Sequence, residues 1–63
     1  MFEKEINNFI KEYYYNSCLK YNYYFVDNLC VITSIIFNGS LSIQTIILKY
    51  KGDAYKIDKI INL

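Results

Sequence analysis

The chain has 63 residues, a formal net charge of +1 from seven lysines and six acids, and no His, Arg, Trp or Pro. That length allows one domain, 1–63, and at this size folding buries only about 60% of the unfolded chain's surface, so stability is marginal. With 54% hydrophobic and 19% aromatic residues the chain is too apolar for disorder, and its balanced charge excludes a strong general field for polyanions.

Residues 2–16 place Phe2, Ile6, Phe9, Ile10 and Tyr13 at the spacing of one helical face. Glu3 and Glu5 fall in the first turn, where they suit the positive end of the helix dipole, and Asn16-Ser17 is a stop signal. The spacing predicts an amphipathic N-terminal helix with Tyr13 turned toward the sheet. From Tyr21 the period changes to two. Tyr21–Val26 and Leu29–Phe37 read as strands joined by Asp27-Asn28, and Asn38-Gly39 is the strongest hairpin signal in the chain. A third strand runs from Ser40 to about Tyr50, and Lys51-Gly52-Asp53 marks a further turn. Residues 53–63 alternate as a strand in their first half, while Ala54, Ile57, Ile60 and Ile61 also fit a helix stripe; both readings stay open. The expected fold is α+β: one N-terminal amphipathic helix packed on a three- to four-stranded antiparallel meander sheet, with a C-terminal segment that is strand or short helix.

If Asn38-Gly39 is a two-residue loop, Phe37 pairs with Ser40, Ile36 with Leu41 and Ser34 with Ile43, and this register decides which side chains share a face. One face, to lie under the helix, then collects Tyr21, Tyr23, Phe25, Cys30, Ile32, Ser34, Ile36, Leu41, Ile43, Thr45 and Ile47. The other collects Tyr24, Val26, Leu29, Val31, Ile35, Phe37, Ile46 and Leu48, with Asn22, Thr33, Ser40, Ser42 and Gln44 among them. An ordinary two-layer domain makes its outer face polar, so a second apolar face calls for a cover. Tyr24, Val31, Ile35, Phe37, Ile46 and Leu48 are accordingly the expected protein interface, closed by a second copy, another protein or a C-terminal helix.

The chemistry is sparse. Without His no Ser-His or Cys-His nucleophile can be built, and Glu3, Glu5, Glu12, Asp27, Asp53 and Asp58 lie on a helix surface or mostly in turns rather than converging in a cleft. Cys18 and Cys30, with no His, do not make a zinc site and are expected as free thiols, Cys30 buried and inert. Gly39 and Gly52 are isolated turn glycines, so no phosphate-cradling loop is present. No enzyme and no cofactor are expected. The second reading is nucleic-acid contact through Lys49, Tyr50, Lys51, Tyr55 and Lys56, since tyrosines stack on unpaired bases, although the usual arginine reader of guanine is missing. With a C-terminal helix, the order helix, three strands, helix resembles that of a double-stranded-RNA-binding domain, without the Gly-Pro-x-His loop or the Lys-Lys-x-Ala-Lys helix start of that family.

Neither a secretory leader nor a run of roughly 20 apolar residues is visible, so a soluble cytoplasmic protein is expected. Eleven Ile, seven Asn, seven Lys and eight Tyr make up 33 of the 63 residues, a composition that AT-rich codons favour. The expected function is a small non-enzymatic protein-binding module, homodimeric, from a virus or mobile element, that inhibits a host enzyme or defence complex by occlusion.

Overall fold

The computed structural model describes residues 3–63 as α1 (Glu3–Tyr14), β1 (Cys18–Val26), β2 (Leu29–Phe37), β3 (Leu41–Lys51) and β4 (Ala54–Asn62). The strands form one antiparallel sheet in the order β1-β2-β3-β4, so each hairpin connects neighbours and the helix lies on one face. The C-terminal segment is a strand, Ala54–Asn62, which removes the C-terminal helix as a lid and with it the element order of a double-stranded-RNA-binding domain. Phe2, expected on the helix face, lies outside the described residues.

Helix α1 buries Ile6, Ile10 and Tyr14, a strict i, i+4, i+8 stripe. Tyr14 therefore takes the place expected of Tyr13, which is exposed and stacks on Phe9 along the flank. Helical spacing allows either residue; the partners beneath decide. The Tyr14 hydroxyl donates to Gln44 Oε1 on β3, and the helix stops one residue later, where Tyr15 adopts a left-handed φ of 59°. Ser17 closes the end, its Oγ donating to the Tyr14 carbonyl at 2.6 Å. Its own carbonyl then accepts from the Phe37 amide at 2.8 Å, which fixes where the chain enters the sheet.

Two of the three hairpins have two-residue loops. Val26 pairs with Leu29 across Asp27-Asn28, as read from the sequence, and Lys51 pairs with Ala54 across Gly52-Asp53. Asp27 and Gly52, the first residue of each loop, take positive φ of 53° and 70°, a backbone that Asp tolerates and Gly adopts freely.

The middle hairpin departs from expectation. Phe37 pairs with Leu41, Ile36 with Ser42 and Ser34 with Gln44, so Asn38-Gly39-Ser40 is a three-residue loop. One residue of slip exchanges the faces of the entire strand. Ile46 and Leu48, expected outside, are 0% and 1% exposed under the helix, while Leu41, Ile43, Thr45 and Ile47, expected inside, point away from it. Ser42 and Gln44 move inward with Ile46 and Leu48. In this register Ile46 and Leu48 stand beside Ile32 and Cys30 beneath Ile6 and Ile10, and Gln44 sits where Tyr14 can reach it, its Nε2 donating onward to Asn62 Oδ1 at 2.7 Å. The core is thus Ile6, Ile10 and Tyr14 from α1 against Cys30, Ile32, Ile36, Ile46 and Leu48 from the two central strands. Within it Ser34 Oγ is buried near the Tyr14 hydroxyl and, among the described residues, makes no hydrogen bond of normal geometry.

Candidate functional site

With β3 in its observed register, the helix-free face is read off row by row. At the end carrying the β1–β2 and β3–β4 loops, one row runs Val26, Leu29, Lys49, Lys56; the next runs Tyr24, Val31, Ile47, Lys59. A row of Asn22, Thr33, Thr45 and Ile61 crosses the middle, with the two threonine hydroxyls 3.4 Å apart, followed by Lys20, Ile35 and Ile43 and then by Phe37 with Leu41. β-Branched and aromatic side chains pair across the strands throughout, which stabilises a pleated sheet whichever face they occupy. Here they also face outward. Tyr24 is 57% exposed, Phe37 50% and Leu41 66%.

Of the six residues expected as the interface, the structure brings Tyr24, Val31, Ile35 and Phe37 together on this face and removes Ile46 and Leu48 to the core. Leu41, Ile43 and Ile47 take their place, and the face is more apolar than the two-residue loop implies, because Ser42 and Gln44 leave it. The signal for these three residues was Ser40, a small polar residue able to serve as a third loop position after Gly39.

Charge is segregated. Lys20, Lys49, Lys51, Lys56 and Lys59 all lie on the helix-free face by register, and among the described residues no acid shares its rows. Asp27 and Asp53 sit in loops, and Asp58 is the extra residue of a bulge in β4, between the pairs Ile47–Lys59 and Leu48–Ile57. Four of the five lysines gather at the β3–β4 corner.

The expected nucleic-acid cluster is divided by the sheet. Lys49, Lys51 and Lys56 stand on the helix-free face, whereas Tyr50 and Tyr55 pair with each other on the opposite face, their rings packed edge to face with centroids 5.1 Å apart. A strand alternates its side chains, so neighbours in sequence cannot present lysine charge and tyrosine ring to one base.

Acid–base groups are equally dispersed. Burial pushes the Cys30 thiol and the Tyr14 and Tyr21 hydroxyls up from their ordinary values, toward the neutral, unreactive form. Cys18 and Cys30 are free thiols at opposite ends of the β1–β2 pair, Cys18 level with Ile36 and Cys30 with Phe25. Among the described residues no group of three or more Asp, Glu or Cys could hold a metal ion, and no helix is long and apolar enough to cross a membrane.

Comparison with protein-family models, curated proteins and solved structures finds no match to this chain.

Proposed function

We propose that this chain is a non-enzymatic protein-binding module that pairs with a second copy of itself through the helix-free face of its sheet. The observation that carries the reading is the apolar surface of Tyr24, Val26, Leu29, Val31, Ile35, Phe37, Leu41, Ile43 and Ile47, over which none of the described elements lies. Monomers seldom leave such a contiguous patch in water.

The size of the face fits a dimer. Four strands spaced about 4.8 Å and nine residues rising about 3.3 Å each make a footprint of roughly 19 by 30 Å, or about 570 Å² per copy. Two such faces together exceed the 1,000 Å² or so that a specific interface needs. Charge selects how the copies meet. A two-fold axis across the strands sets Val31 against Ile35 of the second copy, Leu29 against its Phe37 and Ile47 against its Ile43. It also sends the two lysine corners to opposite ends, about 26 Å apart along the strands, beyond the Debye length at physiological salt. Aligned packing of two sheets about 10 Å apart is the ordinary geometry of a β-sandwich. Small size and AT-rich composition support the biological setting we attach to it, a viral or mobile-element product that occludes a host enzyme or defence complex.

The test is the solution mass by light scattering after size exclusion, for wild type and for Ile35→Lys. Ile35 sits on the face, clear of the core, so the variant is expected to be a monomer with the wild-type circular dichroism spectrum while wild type is a dimer. A monomeric wild type at sub-millimolar concentration overturns the reading.

A further inference from the structure

The Asn38-Gly39-Ser40 loop sets the register of β3, and it also places a reactive pair of groups in the open. All three residues are exposed, and the loop closes with the Asn38 N–H donating to the Ser40 carbonyl at 3.1 Å. The next N–H, that of Gly39, donates to no group among the described residues. Gly39 has a φ of 85°, a backbone that only glycine adopts freely, and no atom lies within 4 Å of the place a Cβ would take. No neighbouring group therefore packs on this peptide, and its nitrogen carries no side chain beside it.

Each of the other six asparagines is followed by a residue that has a Cβ. After Asn16 and Asn62 the following nitrogen is also occupied: the Ser17 N–H donates to the Tyr14 carbonyl at 3.1 Å, and the Leu63 N–H to the Ile43 carbonyl at 3.0 Å. Asn7 and Asn8 lie inside α1, where the next amides close helical turns.

From the open loop, the bare glycine and its unpartnered N–H, we propose that Asn38 is a self-modification site, which converts without an enzyme to aspartate or isoaspartate. The Gly39 nitrogen, once its proton is lost to solvent base, attacks Asn38 Cγ. An N–C bond forms, the Cγ–Nδ2 bond breaks and ammonia leaves, which closes a five-membered succinimide ring. Attacker and target belong to adjacent residues, so no entropy is lost in bringing them together. Water then opens the ring at either carbonyl: breaking the new bond at Cγ gives aspartate, and breaking the bond at the main-chain carbonyl gives isoaspartate. The balance is one water taken up and one ammonia released. Either product adds a carboxylate to the six acids present, so seven lysines stand against seven acids and the formal net charge falls from +1 to zero. Isoaspartate also routes the main chain through the former side chain, lengthening by one atom the loop that joins β2 to β3. The step runs one way, so it marks the age of each molecule. It does not depend on the pairing of the helix-free face, because the loop lies beyond the last row of that face, Phe37 with Leu41.

The experiment holds the folded full chain, wild type and Gly39→Ala, for several days at neutral and at mildly alkaline pH. Peptide mapping by mass spectrometry reads a gain of about 1 Da at each asparagine, and methylation by an isoaspartyl methyltransferase reads isoaspartate. Wild type is expected to change at position 38 about tenfold or more faster than at any other asparagine, to change faster at the higher pH, and to give both products. Gly39→Ala sets a Cβ beside the attacking nitrogen and is expected to slow position 38 about tenfold or more. Circular dichroism checks that this variant is folded, and the six other asparagines of wild type give the reference without it. A position 38 that changes no faster than the rest, aspartate without isoaspartate, or a rate unmoved in folded Gly39→Ala would each overturn the proposal.

Discussion

The one-residue difference between a two- and a three-residue loop at Asn38-Gly39-Ser40 can be decided with two conservative substitutions, Ile46→Val and Ile43→Val. Each removes one methylene from a β3 isoleucine and keeps the β-branched side chain, so strand propensity is matched. Ile46 is fully buried among Ile32, Leu48 and the helix, whereas Ile43 is 40% exposed on the outer face. Deleting a buried methylene costs about 1 kcal/mol, within a range of roughly 0.5–1.5. At a half-open site the surroundings close over the gap and less area was buried at the start, so the cost falls to about 0.3 kcal/mol. With a urea m-value near 1 kcal/mol/M for so small a domain, the midpoint should drop by about 1 M for Ile46→Val and by about 0.3 M for Ile43→Val. Total stability at this length is about 3–9 kcal/mol, so both variants remain folded and measurable. Working in the Ile35→Lys background keeps association through the outer face from adding to the Ile43 result. Equal shifts, or a larger shift for Ile43→Val, would refute the three-residue register and return Ile43 and Ile47 to the core.

Alkaline pH should destabilise the fold. The folded-state values of Cys30, Tyr14 and Tyr21 are raised above ordinary values of 9.0, 10.0 and 10.0, chiefly by burial, so the folded chain holds protons that the unfolded chain releases. Their contribution is complete below about pH 9 and is lost as pH climbs through the raised values. Urea midpoints should stay level from neutrality to that point and fall above it, with Cys30→Ala removing the earliest part of the decline; a flat or rising profile above pH 10 would contradict this. For Ser34→Ala, which deletes a buried hydroxyl that lies near the Tyr14 hydroxyl without a hydrogen bond of normal geometry, a gain of up to about 1 kcal/mol is expected. A loss of more than 1 kcal/mol in the same urea titration would mean that this hydroxyl is hydrogen-bonded in the folded chain.

Much of the architecture is legible in the residue order. The i, i+4 spacing of Ile6 and Ile10 announces the helix, and the switch to period two at Tyr21 announces the sheet. Asp27-Asn28 sets its own hairpin, and the alternation of Tyr55 to Asp58 leans toward the strand that β4 proves to be. The presence of a second apolar face is legible too, because β2 alternates apolar residues on both sides from Leu29 to Phe37. These are local properties, carried by the conformational preference of a few neighbours and by the period at which side chains return to one side.

What local chemistry leaves undecided is which half of β3 faces the core. Asn38-Gly39 accepts loops of two or three residues, and a strand reading Leu41-Ser-Ile-Gln-Thr-Ile-Ile-Leu48 offers two to three bulky apolar side chains to either face, so neither the turn nor the alternation arbitrates. The choice falls to contacts made across the fold: Ile46 and Leu48 against the helix, Gln44 against Tyr14, and Tyr14 rather than Tyr13 because only its hydroxyl finds that amide. The same contacts gather the lysines on one face and part them from Tyr50 and Tyr55. The helix and the first three strands were therefore determined by the sequence alone, while the C-terminal segment, open between strand and helix, was decided by its pairing with β3. The composition of each surface was decided by tertiary packing, because a face is shared by residues that only strand register brings side by side.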